Sequence, residues 1–107
     1  MKNSPGVRTV RMRYIIDDHD FRVRVDQARR FLKRGDTVDV IVIFRGREVR
    51  HFSKGREQLY RLLVELNKVI PTSFFVEIPP MRDGKNLKMT LKPTGEILEN
   101  ILRKYYD

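Results

Sequence analysis

The chain has 107 residues, a net charge of +9, 40% hydrophobic and 35% charged residues, and no cysteine. Its length fits one domain with its own core, and the lack of cysteine excludes disulfides, cysteine metal sites and a cysteine nucleophile. The excess of 23 Lys and Arg over 14 Asp and Glu favours a polyanionic partner, nucleic acid or an anionic membrane, although a protein that is simply basic has the same balance.

The first third of the chain predicts a strand followed by a helix. Residues 1–7 combine Lys, Asn, Ser, Pro and Gly, and we expect a flexible lead-in there. Residues 8–14 alternate between apolar and basic side chains, as in a strand with one buried face. The carboxylates at residues 17–20 predict the N-terminal cap of a helix over residues 19–34. A metal site there is disfavoured, because consecutive residues rarely converge on one ion and capping already explains the acids. The helix should bury one stripe of side chains: Phe21, Val25, Ala28 and Leu32.

Residues 38–44 are the most hydrophobic run and predict a central strand, since Val and Ile pack well on a pleated surface. The run ends in an Arg-Gly-Arg-Glu turn, where Gly46 gives the backbone conformational freedom. The strand would therefore present the guanidiniums of Arg45 and Arg47 at its carboxyl end. An ordinary buried strand followed by a solvated basic turn fits the same pattern.

The second half predicts one helix, two strands and a tail. Ser53 is expected to cap a helix over residues 54–69. A third strand over residues 74–78 should stop at Pro79-Pro80, and a loop should lead to a fourth strand over residues 86–92. Residues 94–107 carry apolar side chains at helical spacing and predict a short amphipathic helical tail. Such a tail is marginal by itself and needs a surface to lie on, either the open face of the domain's own sheet or the surface of a partner, and it is disordered if it has neither.

The predicted elements give an α+β fold in the order β-α-β-α-β-β. With right-handed crossovers, this order makes a two-layer sandwich, in which a mixed four-stranded sheet carries two helices on one face. A short C-terminal helix is added by the tail. The domain itself should span residues 8–93.

No catalytic arrangement stands out, and we expect neither enzymatic activity, a cofactor nor a metal. A nuclease site built from His51, Glu48 and the acids at residues 17–20 is conceivable, but no nucleophile–base spacing is recognisable and a solvated histidine is the simpler interpretation. Arginine instead recurs at outward positions, where its planar fork can bind phosphate oxygens bidentately. An exposed Tyr14 or Phe52 could stack on a base. Together these features indicate RNA binding.

The sequence resembles the C-terminal domain of bacterial-type translation initiation factor 3 over residues 10–93. The resemblance is carried by Asp-His-Asp-Phe at residues 18–21, Ala-Arg-Arg-Phe-Leu-Lys-Arg-Gly-Asp at residues 28–36, and Phe-Arg-Gly-Arg-Glu at residues 44–48 with His51. It implies the same two-layer fold. It also implies binding to the small ribosomal subunit at its platform, through ribosomal RNA and the platform proteins, and opposition to large-subunit joining.

The resemblance also assigns RNA-binding residues by position. These are Arg13, Arg24, Arg30, Arg45, Arg47, Arg61 and Lys85, and Gly46 is included with them because glycine lets a partner's backbone come close. Asp26 departs from the family, because many relatives have a basic residue there, and Lys85 replaces a frequent arginine and so lacks the bidentate fork. The tail also differs from the short Lys-rich ending of bacterial members. We expect no small-molecule substrate, no membrane, and a monomer off the ribosome.

The family implies the bacterial cytoplasm or an organelle matrix, either mitochondrion or plastid. Two alternatives stay open at the level of sequence. The first is a ribosome assembly or silencing factor that uses the same RNA-binding surface. The second is a small metal-dependent nuclease built around His51.

Overall fold

The structure is a computed structural model that describes residues 6–95 and residue 103. Its elements follow the predicted order, with a 3-10 helix inserted before the second α-helix. They are β1 (Val7–Arg13), α1 (Asp18–Lys33), β2 (Thr37–Ile43), the 3-10 helix (Gly46–His51), α2 (Phe52–Val69), β3 (Phe74–Asp83) and β4 (Asn86–Pro93). Most of the predicted tail lies outside the described residues. In the part that is described, no helix is long and apolar enough to cross a membrane.

The four strands form one mixed sheet in the order β1-β2-β4-β3, with β1 parallel to β2 and β4 antiparallel to both of its neighbours. Alternate strand residues face the helices and are buried, which confirms the predicted α+β fold. The strands contribute Val10, Met12, Val38, Val40, Val42, Leu87, Met89 and Leu91 to the core. The helices contribute Phe21, Val25, Ala28, Leu32, Leu59, Leu62 and Leu66 to the same cluster.

Both ends of α1 form as predicted. The carboxylate of Asp17 accepts a hydrogen bond from the backbone N–H of Asp20 at 2.8 Å, so the acidic cluster includes the N-cap. After the helix, Gly35 adopts φ 91°, a left-handed conformation that favours glycine at the end of a helix. These two local signals set the length of α1.

The start of α2 differs from the prediction. Ser53 is not the N-cap, because the helix already begins at Phe52 and no side chain caps it. The 3-10 helix runs directly into α2, and the backbone N–H of Phe52 donates to the carbonyl of Val49. The preceding turn thus supplies a partner that a capping side chain would otherwise provide.

The third strand also differs from the prediction, since β3 continues through Pro79-Pro80 to Asp83. Proline removes a backbone donor, but β3 is an edge strand and its pairing with β4 shifts register on either side of Ile78. The missing donors therefore cost the sheet little. The predicted loop shrinks to a turn at Gly84 and Lys85, in which Gly84 has φ 60°.

Candidate RNA-binding surface

An exposed basic turn stands at the carboxyl end of β2. Phe44 is buried and ends the core, while Arg45, Gly46 and Arg47 are all exposed. Gly46 has φ 52°, and a Cβ at that position would meet no heavy atom within 4 Å. Glycine is therefore needed there for the backbone conformation, and the space in front of it is open to a partner.

Glu48 fixes the conformation of this turn. One of its carboxylate oxygens accepts the backbone N–H of Arg45 at 2.7 Å, and both oxygens accept from the guanidinium of Arg13 at 2.7 Å each. The pKa of Glu48 lies below its ordinary value. The largest cause is the hydrogen bond from the Arg45 N–H, the hydrogen bonds from Arg13 lower it further, and burial opposes the shift. Arg13 also donates to the carbonyl of Ile43 at 3.4 Å. Its fork is thus occupied within the protein, and Arg13 supports the turn.

An aromatic column packs beneath the turn. The rings of His51 and Tyr14 stack at 5.2 Å, Tyr14 and Phe44 stack at 5.4 Å, and Phe52 meets Phe44 edge-on at 4.7 Å. Tyr14 is only 8% exposed, so the expectation that it could stack on a base is wrong, and Phe52 is partly buried. His51 is partly buried against Tyr14 and does not have the solvated position predicted for it.

The turn between β3 and β4 lies beside the basic turn. The side-chain oxygen of Asn86 accepts the backbone N–H of Phe44 at 3.2 Å, because β4 begins where β2 ends. Lys85, the residue before Asn86, is exposed there. The structure thus brings four of the predicted residues to one end of the sheet, and we call this set the end surface: Arg45, Gly46, Arg47 and Lys85.

The three remaining predicted residues lie on the helices. Arg61 is in a groove between α1 and α2, where its guanidinium lies 3.8 Å from the centre of the Phe21 ring and pairs with Asp18 at 2.9 Å. Arg30 lies near the far end of α1. Arg24 lines a concavity that also includes Arg13. Arg24 is thus the one of these three residues that shares a concavity with Arg13, which supports the basic turn.

Asp26 neutralises part of the helical charge. Its carboxylate accepts from Nε of Arg29 at 3.0 Å and pairs with Arg30 at 3.1 Å. The hydrogen bond from Arg29 lowers the pKa of Asp26 in spite of an opposing contribution from burial. The acid at this position therefore engages Arg30, one of the residues that the family resemblance assigns to RNA.

Two basic residues of this region escaped the sequence-based prediction. Arg50 is exposed in the 3-10 helix, and Arg82 is exposed near the end of β3, with its guanidinium 4.7 Å from the centre of the Phe52 ring. The two prolines had suggested that β3 stops early, which put Arg82 in a loop of undefined position. In the structure, Arg82 pairs with Leu87 of β4, which defines its position in the sheet.

The residues of the conceivable nuclease site are engaged in structural contacts. Glu48 binds Arg13 and the turn, His51 stacks on Tyr14, and Asp17 caps α1. Among residues 6–95 and residue 103, no three His, Cys, Asp or Glu side chains are grouped so that they could hold a metal ion.

Comparison with known proteins shows which family the chain resembles. The family model described as "Translation initiation factor IF-3, C-terminal domain" matches residues 6–94. The chain is 42% identical over 92 residues to translation initiation factor IF-3 of Synechocystis sp., covering 86% of the chain and 50% of the relative. It is 47% identical over 87 residues to that of a Synechococcus sp., covering 81% and 39%.

A chloroplast protein is similar to the same degree. The chloroplastic translation initiation factor IF-3 of Gracilaria tenuistipitata var. liui is 44% identical over 87 residues, covering 81% of the chain and 46% of the relative. The chain thus spans half or less of the length of these three relatives.

Proposed function

Because the chain belongs to the translation initiation factor IF-3 family, whose C-terminal domain it matches over residues 6–94, we propose that it acts in translation initiation by binding the small ribosomal subunit. It contacts the ribosomal RNA and proteins of the platform and opposes joining of the large subunit. It works as a monomer off the ribosome, and it takes no small-molecule substrate. The relatives include bacterial and chloroplastic proteins, which supports a bacterial cytoplasm or an organelle matrix as its compartment.

The observation that carries this proposal is the end surface. Arg45, Arg47 and Lys85 are exposed in two turns at the same end of the sheet, and a Cβ at Gly46 would meet no heavy atom within 4 Å. Arginine and lysine side chains of this kind bind phosphate oxygens through charge-assisted hydrogen bonds. The hydrogen bonds of Glu48 and the aromatic column hold the turn in one conformation before RNA binds. This reduces the entropy that the turn loses on binding.

Co-sedimentation with ribosomal particles tests the proposal. The chain should sediment with isolated bacterial small subunits and not with joined ribosomes. Arg45→Ala and Arg47→Ala should weaken this binding while thermal unfolding stays unchanged, because both side chains are exposed. Lys33 is the last residue of α1 and precedes the amino end of β2, away from the end surface, so Lys33→Ala is the control for a lost charge.

Salt dependence gives a second measurement. The logarithm of the affinity should fall with the logarithm of salt concentration with a slope of about 0.7 for each phosphate contacted. A flat dependence would contradict RNA binding and indicate a protein partner. Binding confined to immature particles, with start-site selection unchanged, would favour the assembly or silencing factor.

A further inference from the structure

We propose that Arg82 is an additional phosphate-binding residue of the end surface, and that Phe52 and the β3–β4 turn hold it ready for RNA. The proposal rests on the proposed function and adds a residue that the family resemblance does not assign. It identifies the ligand as a backbone phosphate of RNA.

The side chain of Arg82 is held on two sides. One face of its guanidinium lies over the Phe52 ring, 4.7 Å from the ring centre, and its Nε donates to the carbonyl of Gly84 at 3.1 Å. These contacts occupy one N–H group and one face of the plane. The four N–H groups on the two terminal nitrogens form the outer edge of the fork, which is the edge that binds phosphate bidentately.

Among the residues that the structure describes, no acid neutralises the charge of Arg82. Within residues 6–95, no carboxylate forms an ion pair with it within 4.0 Å. Arg13 contrasts with it, since both oxygens of Glu48 bind that guanidinium. Arg82 therefore offers the donors of its outer edge and a charge with no ion-pair partner among these residues, whereas the charge of Arg13 is paired with Glu48.

The position of Arg82 makes it part of the end surface. Phe52, on which it lies, directly follows the 3-10 helix and packs edge-on against Phe44, the residue before Arg45. Gly84, to which it donates, is the residue before Lys85. Arg82 thus contacts the β3–β4 turn directly and is linked to the basic turn through Phe52 and Phe44, so one RNA segment could meet all of these cations.

The benefit of the Phe52 platform is pre-organisation. A free arginine has many rotamers, and fixing one of them on RNA opposes binding. The stack on Phe52 and the bond to Gly84 restrict Arg82 before binding. Lysine at this position would keep the charge and lose the fork, the flat stack and the Nε bond.

Binding of the full chain to isolated bacterial small subunits tests the proposal. Arg82→Gln should lower the affinity about tenfold, as expected for losing hydrogen bonds to a charged group, and should reduce the salt slope by about 0.7. Lys33→Gln removes the same charge at a position away from the end surface, and its effect should be smaller. Arg82→Lys should recover only part of the loss. Phe52→Leu, which keeps the fork without the platform, should fall between wild type and Arg82→Gln.

Each outcome decides one point. If Arg82→Gln binds no more weakly than Lys33→Gln, or if Arg82→Lys binds as wild type does, the proposal is wrong. A tenfold loss with an unchanged salt slope would show base stacking on the exposed face of the guanidinium and would overturn the phosphate assignment. Failure of the unaltered chain to bind small subunits would instead refute the proposed function. Thermal unfolding of the Arg82 variants, which leave Phe52 in place, checks that they are folded.

Discussion

Gly55 shows how the fold and the end surface depend on one close contact. It lies in the first turns of α2 and is buried against the end of β2. A Cβ at this position would overlap the tip of the Phe44 ring and lie 3.2 Å from Cγ1 of Val42. Glycine therefore allows α2 to approach the sheet directly beneath the basic turn.

Gly55→Ala sets two effects against each other. Alanine favours a helix interior over glycine by about 1 kcal/mol, whereas overpacking a core costs about 1–3 kcal/mol. The Phe44 ring cannot easily move away, because Tyr14 stacks on it at 5.4 Å and Phe52 packs against it at 4.7 Å. We expect the steric term to win, with a net loss of about 1 kcal/mol and a Tm lower by about 4–8 °C.

Urea and thermal unfolding of the full chain measure this effect. The matched control repeats Gly55→Ala in a Phe44→Leu background, where the ring is gone and alanine should become stabilising through its helix propensity. Gly55→Ala also predicts a functional effect. A displaced Phe44 would move Arg45, the next residue in the chain, and should thereby weaken small-subunit binding. A Gly55→Ala protein as stable as wild type, or more stable, would refute the argument that the contact with Phe44 requires glycine.

Three further changes test other contacts. Glu48→Gln should destabilise the protein at neutral pH. A carboxylate with a lowered pKa stabilises the fold above its ordinary pKa of 4.5 and loses this contribution as the pH falls through the folded-state pKa. In urea unfolding, the difference from wild type should therefore shrink as the pH is lowered below 4.5, and a pH-independent difference would show that the hydrogen bonds from Arg45 and Arg13 do not stabilise the ionised carboxylate. Asp26→Asn should tighten small-subunit binding and steepen its salt dependence, because it removes the acid that pairs with Arg30. Unchanged binding would show that Arg30 does not contact RNA. Deleting residues 95–107 should lower the Tm if the tail lies on the domain's own sheet face, whereas unchanged stability with weaker small-subunit binding would place the tail against a ribosomal partner.

The amino-acid sequence by itself determined the features that depend on neighbouring residues. The buried stripe of α1, the cap at Asp17 and the glycine at residue 35 all follow from contacts within a few positions along the chain. The inward alternation of β4 and the buried core of β2 are likewise periodic signals that a single strand carries. The exposed position of Arg45 and Arg47 followed from the abrupt end of a hydrophobic run. The family resemblance then assigned the remaining cations to RNA binding, but it did not indicate which residues surround them.

Only the tertiary structure decided which of these cations are free and how they are held. Arg13 and Glu48 are 35 residues apart, and no local pattern indicates that the acid occupies that guanidinium. The path of β3 through two prolines depends on its place at the sheet edge, and this path puts Arg82 on Phe52. The need for glycine at residue 55 arises from how closely α2 approaches Phe44. Each of these facts is a contact between distant segments, which exists only after the sheet and the helices have packed together.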